Sequence, residues 1–240
     1  MALVERGLAP SRARARDLIR RGFVELDGRV QTKPGTMVAA VSSVRLKGVA
    51  EARHVSRAAE KLEAALEYFR FAVAGVTALD IGASTGGFTE ALLARGAARV
   101  YAVDVGHGQL HARVAGDPRV ISLEGCDARS LDRVRVPESI GAVVADVSFV
   151  SLIKVLPAAL ALTSPGAWLV ALIKPQFEVG REAVGKRGIV RDAAARQRAV
   201  ESVSTWMAGQ AHWRVLGVVA SPIEGGSGNQ EFLLGAIRDG

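Results

Sequence analysis

Apolar runs at 76–81, 99–105, 119–123, 141–147 and 167–173 punctuate the C-terminal three-quarters of the chain, mostly separated by helix-compatible segments. That interleaving leaves few architectures open, because strands alternating with helices predict an α/β fold built on a parallel sheet. Two further runs, 214–220 and 231–237, enclose the Pro- and Gly-rich segment 221–229, which predicts a closing hairpin and seven strands in all. Leu62, Leu66 and Phe69 recur at helical spacing before the first strand and predict an amphipathic helix packed onto the segments C-terminal to it. At 240 residues, 49% of them apolar, the chain has room for this sheet and one smaller unit.

The smaller unit is N-terminal. Ser11 as an N-cap, Leu18 and Ile19 as a narrow apolar stripe and Gly22 as a stop define a short, Arg-covered helix. Phe23, Val24 and Leu26 lead into Asp27-Gly28, a hairpin turn signal with Val30 beyond it, and another strand is expected within Met37 to Leu46. Residues 48–60 carry charges and few large apolar groups, so the domains are drawn as 1–56 and 57–240. Residues 1–60 hold 12 Lys and Arg against 6 Asp and Glu, whereas the other 180 hold 19 against 18. Nearly all of the formal +7 therefore belongs to this module, which points to a polyanionic partner because neutralised phosphates release counterions. Arg-rich composition from a GC-rich genome is the competing account.

The ends of the predicted strands carry the chemistry. The first ends in Asp80-Ile81-Gly82-Ala83-Ser84-Thr85-Gly86-Gly87-Phe88, where glycines allow a sharp turn and close approach of a ligand to free amides at a helix start. Its spacing departs from the G-x-G-x-x-G pattern that makes room for a dinucleotide pyrophosphate. The second strand ends in Asp104, placed to accept hydrogen bonds from ribose hydroxyls, and Asp127 after the third is placed to read an adenine amino group. S-adenosylmethionine suits this set, since it offers ribose and adenine without a diphosphate. The fourth and fifth strands end in Asp146 and Lys174, an acid and a base that would face the donor or serve equally as a structural salt bridge. Lys61 before the sheet and Glu231 at the last strand can complete a polar cluster.

These motifs resemble the TlyA family, also called haemolysin A: an S4 RNA-binding domain fused to an FtsJ-like ribosomal RNA 2′-O-methyltransferase domain. The resemblance spans almost the whole chain and rests on Ala2 to Leu8, Asp80 to Thr89, Tyr101 to Leu110, Asp146 to Leu152, Leu172 to Phe177 and Asn229 to Leu233. It implies a Rossmann-like seven-stranded methyltransferase sheet behind a small α+β S4-like domain. It also implies a Lys61, Asp146, Lys174, Glu231 tetrad and cytidine 2′-O-methylation of ribosomal RNA, on free RNA or on ribosomal subunits. Two departures stand out. Arg57-Ala58-Ala59-Glu60 precedes Lys61 where the family has Arg and Gly-Gly, and the residues that usually precede Ala2 are missing, which reads as a late start at Met1.

Within that reading Lys174 deprotonates the acceptor hydroxyl, or else orients it and stabilises developing oxyanion charge. Arg6, Arg12, Arg14, Arg16, Arg20 and Arg21 are the RNA contacts expected of the basic module. The segment Gly180 to Asp192, with Arg181, Lys186, Arg187 and Arg191 among glycines, is expected to close over substrate.

Other classes find less support. Cys126 is the only cysteine, so neither an intrachain disulfide nor a multi-cysteine metal site can form, and a reducing cytoplasm and no metal are expected. Val155 to Ile173 runs without a charge for the length of a membrane span, but Pro157 and the Thr163-Ser164-Pro165-Gly166 cluster interrupt it, so helix, turn and buried strand are expected and no membrane partner. A membrane-active cytolysin and a methyltransferase with a non-RNA acceptor are the alternatives; the second leaves the basic module unexplained.

Overall fold

The computed structural model describes residues 2–9, 12–47, 54–185, 188–225 and 228–240, which form two compact units dividing between Arg57 and Ala58. In the first, helices α1 (Ala2–Glu5) and α2 (Arg12–Arg20) precede strands β1 (Val24–Leu26), β2 (Arg29–Gln31) and β3 (Val44–Leu46), with β1 central and antiparallel to both neighbours. Asp27 and Gly28 both adopt positive φ, the mirror-image turn geometry that joins twisted strands closely. Leu3, Ala9, Leu18 and Val24 form the small core. The strand expected within 37–46 is reduced to its last three residues: Met37 and Val41 are 91% and 96% exposed and have no core to face. Ser11 and the join at 48–53 lie outside the described residues.

The second unit runs α3 (Ala58–Phe69), β4 (Thr77–Ile81), α4 (Gly87–Ala94), β5 (Arg99–Asp104), α5 (Ala112–Ala115), β6 (Val120–Glu124), β7 (Ile140–Ala145), α6 (Leu152–Leu160), β8 (Thr163–Ile173), α7 (Pro175–Glu178), α8 (Ala193–Ala208), β9 (Trp213–Ala220) and β10 (Phe232–Arg238). All seven expected strands join one sheet, in the order β6-β5-β4-β7-β8-β10-β9. β4 to β8 pair in parallel, and β10 runs antiparallel to β8 and β9. Side chains alternate between two covered faces. Leu79, Val143 and Leu169 pack with Leu156 of α6 and Met207 of α8, whereas Ala78, Val144 and Val170 pack with Leu62 and Leu66 of α3 and Leu92 of α4. At the end of α3 the Phe69 ring lies over Gly235 of β10, where a β-carbon would stand 2.7 Å from ring atoms.

The charge-free stretch from Val155 to Ile173 is divided between α6 and β8, with Pro157 inside the helix. The turn expected at Thr163 to Gly166 is instead the start of β8. Pairing with β7 jumps from Thr163 opposite Ile140 to Trp168 opposite Ala142, and pairing with β10 begins only at Trp168, so Pro165 sits in a bulge where its missing N–H breaks no ladder bond. Among the described residues no helix is long and apolar enough to cross a membrane.

From β4 the chain steps outward through β5 and β6 and then returns to the opposite side with β7. The carboxyl ends of β4 and β7 thus flank the point where strand order reverses, which is where open α/β sheets bind ligands.

Candidate active site

Asp80 is fully buried near the exit of β4, with Oδ2 accepting a 2.6 Å hydrogen bond from Thr89 Oγ1 of α4 and Oδ1 without a hydrogen-bond partner among the described residues. Burial, helped by the nearby carboxylates of Asp146 and Asp104, pushes its carboxyl up to about 7 against the hydrogen bond from Thr89. Gly82 and Gly86 take φ of 81° and 90°, and a β-carbon on Gly86 would press on Val114 Cγ1 at 2.9 Å. α4 then starts at Gly87. Phe88 departs from the expected ligand contact: its ring is 2% exposed and belongs to the core beneath α3 and α4.

Asp104, at the exit of β5, fixes the glycine loop through a 2.8 Å bond from the Ser84 amide to Oδ2, while Oδ1 accepts from the Gly106 amide and from Gln109 Nε2. Ser84 Oγ also meets Gln109 Oε1 at 3.4 Å, and the Thr85 carbonyl accepts from the His111 amide. Sequence reasoning missed both Gln109 and Glu124. Glu124, closing β6, accepts the amides of Gly108, Gln109 and Leu110, and these bonds outweigh desolvation to hold its carboxyl below the usual range. Asp127 is at the expected edge but is engaged otherwise: it caps the following 3₁₀ turn and grips the Arg129 guanidinium, which lowers its carboxyl to about 2. Cys126 is partly buried against the core.

Four elements bring together the two acids and two bases. Asp146 follows β7 and Lys174 follows β8; their Oδ1 and Nζ lie 2.6 Å apart, and Nζ also donates to Ser148 Oγ at 2.9 Å. Because β10 is antiparallel, its entry lies at the same edge as the exits of the parallel strands, so Glu231 arrives there too. Lys61, from the first turns of α3, meets it at 2.5 Å in a pair whose side chains are 9% and 3% exposed. Burial alone pushes the Asp146 carboxyl up, but the ammonium groups of Lys174 and Lys61 together reverse this and leave it below the ordinary range. Beside Lys174, Phe149 is 92% exposed with φ of 67°, its ring 5.2 Å from that of Phe177. Glu178 of α7 ties the two strand exits together, accepting from Ser151 Oγ at 2.5 Å and from the Leu152 amide at 2.9 Å. Among the described residues no cluster of His, Cys, Asp and Glu could hold a metal.

In the first unit the arginines divide. Arg12, Arg16 and Arg20 recur every fourth residue along one side of α2, with Arg12 and Arg16 exposed. Burial and the neighbouring charges of Arg57 and Arg16 lower the Arg20 guanidinium. Arg6 and Arg21 are committed within the fold. Arg6 donates to the carbonyls of Ser42, Ala39 and Ala40, and Arg21 donates to the His54 carbonyl at 2.8 Å while lying 4.6 Å over the Phe23 ring. The Arg14 side chain, the Arg181 side chain, Lys186 and Arg187 lie outside the described residues.

A glycine loop at a switch point, beside paired acids and bases on a seven-stranded sheet with an antiparallel β10, defines a Rossmann-like methyltransferase architecture. Solved methyltransferases share it at low identity: TomG, an O-methyltransferase from Streptomyces achromogenes in complex with SAM, superposes with a TM-score of 0.53 at 17% identity, over 77% of this chain and 81% of that one. The FtsJ-like methyltransferase model matches residues 54–238 and the S4 domain model residues 1–40. The 16S/23S rRNA (cytidine-2′-O)-methyltransferase TlyA of Mycobacterium tuberculosis is 50% identical over 97% of this chain and 86% of its own length. Hemolysin A of Brachyspira hyodysenteriae is 38% identical over 95% and 94%, and the solved structure of a Streptococcus thermophilus protein described as a hemolysin matches at 40% identity and TM-score 0.77 over 99% and 86%. The chain belongs to the TlyA family of FtsJ-like methyltransferases with an N-terminal S4 domain.

Proposed function

We propose that this chain transfers a methyl group from S-adenosylmethionine to the 2′-hydroxyl of a cytidine ribose in ribosomal RNA. The observation that carries the reading is the convergence of the Lys174–Asp146 and Lys61–Glu231 pairs on one sheet edge, beside a glycine loop that an adenosyl group fits. The fit is chemical. Gly82 and Gly86 leave backbone approachable, Asp104 offers carboxylate oxygens for ribose hydroxyls, and Asp80 Oδ1, without a partner among the described residues, can accept from the donor's ammonium. Asp127, spent on Arg129, is the weakest member of the set.

When bound, the donor supplies a methyl group already activated on a sulfonium, so the protein must align an oxygen and manage one proton. Lys174 Nζ lies 2.6 Å from the Asp146 carboxylate, an ion pair whose geometry favours orienting the hydroxyl and stabilising charge on its oxygen. As the O–C bond forms and the S–C bond breaks, the proton leaves the oxygen late, with the Asp146 carboxylate nearby to take it. Lys61 reinforces the ionisation of Asp146, and Glu231 neutralises Lys61. Phe149 offers an exposed ring on which a splayed base can stack, and the Arg12, Arg16 and Arg20 ridge offers charge to RNA phosphates.

The test is incubation of purified protein with labelled donor and separated ribosomal subunits from a strain lacking the enzyme, followed by nuclease mapping. Label on a cytidine 2′-oxygen, lost in Lys174→Ala, supports the reading; donor binding without transfer to either subunit refutes it.

A further inference from the structure

Asn229 stands two residues before Glu231, is 1% exposed and belongs to neither ion pair. Its carboxamide behaves as an inserted peptide group. Oδ1 accepts the Val190 amide at 2.9 Å and Nδ2 donates to the Gly188 carbonyl at 2.8 Å, while the residue's backbone carbonyl accepts the Gly225 amide at 2.9 Å. Three otherwise separate stretches of backbone are therefore fastened at this residue, and all the groups involved would be costly to leave unpaired. Gly225, placed by this fastening, lies against the Glu231 carboxylate so closely that a β-carbon would collide with Oε1. The Ser221 amide donates to the Glu231 carbonyl at 2.8 Å and anchors the same segment on its other side. Glu231 is thus roofed by Gly225 and faced by Lys61, which is how it stays 3% exposed.

We infer that Asn229 is a positioning residue that holds Gly225 over the Glu231 carboxylate and so keeps the Lys61–Glu231 pair dry and in register with Asp146. The inference rests on the methyl-transfer reading for its kinetic consequence, but not for its structural one. Loss of the Asn229 side-chain bonds unpins the backbone whose carbonyl holds Gly225, so that Gly225 can lift, water reaches the carboxylate, and Lys61 is no longer fixed against Asp146.

Two variants test it. Asn229→Ala removes the two side-chain bonds to Val190 and Gly188 and leaves the backbone carbonyl that accepts from Gly225 without its anchor. Gly225→Ala keeps those bonds, has no positive φ to violate, and pushes on the carboxylate, the movable end of a side chain. Both are expected to bind S-adenosylmethionine within about twofold of wild type and to lower kcat for ribosomal RNA by about ten- to a hundredfold, the range a displaced site costs, with KM for RNA little changed. In ¹⁵N-lysine spectra the Lys61 ammonium, assigned by its loss in Lys61→Arg, is expected to be protected from water in the wild type and to exchange faster in both variants. Unchanged kcat and exchange in the folded variants would overturn the inference, as would a kcat loss matched by equal loss of donor affinity. If Asn229→Ala does not fold, Asn229→Asp, which keeps an acceptor for the Val190 amide and loses the donor to the Gly188 carbonyl, takes its place with the same outcomes. Absence of wild-type transfer to ribosomal RNA counts against the function reading only; the exchange measurement still judges the role of Asn229.

Discussion

A β-carbon added to Gly82 would stand 2.7 Å from the carbonyl oxygen of Asp146, so the exits of β4 and β7 touch through backbone alone. The Asp146 amide donates to the Ile81 carbonyl at 2.9 Å and holds that contact closed. Gly82 also has φ of 81°, which costs an L-residue about 1–3 kcal/mol. Gly82→Ala should therefore lower the Tm and weaken S-adenosylmethionine binding at least tenfold, as read by calorimetry. Wild-type values for both would show that the strand exits can part without consequence.

Asp80 gives the stability a pH signature. Its carboxyl is raised from 3.8 to about 7 by burial, so the folded state keeps a proton that the unfolded state releases. Stability from this group is fully present below about pH 4 and is lost as pH rises through 7, a total of about 4 kcal/mol at 1.36 kcal/mol for each pH unit. Comparing urea midpoints of wild type and Asp80→Asn from pH 4.5 to 8 should show the wild type falling relative to the variant. Parallel curves would mean that Asp80 is ionised across the range.

Asp146→Asn removes the carboxylate that holds Lys174. A loss of about a hundredfold or more in kcat is expected, in the range of groups that act on transition-state charge, with donor affinity within a few-fold of wild type. Equal losses in donor affinity would instead place Asp146 among the donor contacts.

Glu231→Gln leaves the Lys61 ammonium buried opposite a neutral group. Breaking a buried pair from one side costs about 3–5 kcal/mol, whereas Lys61→Met together with Glu231→Leu should recover much of that while remaining inactive. A stable single variant in chemical denaturation would show that the pair is hydrated.

On α2, Arg12→Glu and Arg16→Glu should each weaken ribosomal RNA binding and reduce the slope of log affinity against log salt by about one. Arg21→Ala should act differently, lowering the Tm through loss of its His54 and Asp17 contacts with little change in salt slope. Identical salt slopes for all three would remove α2 from the RNA-facing surface.

Much of this was legible because strand ends are written locally. Asp80, Asp104 and Asp146 each stand one residue before the end of an apolar run and Lys174 directly follows one, and a parallel sheet delivers such residues to one edge. Glu231 was legible for the complementary reason that it begins a run in the closing hairpin. What the sequence hid depends on distant partners. Asn229 bonds residues 39 and 41 positions away, and Glu124 organises amides 14 to 16 residues upstream; neither pattern has a period. Phe88 follows the glycines like a ligand residue, but its place near the start of α4 turns it into the core. Arg6 and Arg21 look like Arg12 and Arg16 in sequence, and only the carbonyls within reach distinguish them.

The seating of Phe69 on Gly235 makes α3 and β10 a matched ruler. From Lys61 to Phe69 the helix advances eight residues, about 12 Å at 1.5 Å each. From Glu231 to Gly235 the strand advances four, about 14 Å at 3.4 Å each. The two elements are pinned at both ends of nearly equal spans, by an ion pair at one and an aromatic ring at the other. One residue inserted into α3 between these pins would shift the helix by about 1.5 Å and turn it by about 100°, so only one pin could remain engaged. The interval between Lys61 and Phe69 is therefore fixed by arithmetic, whatever residues fill it.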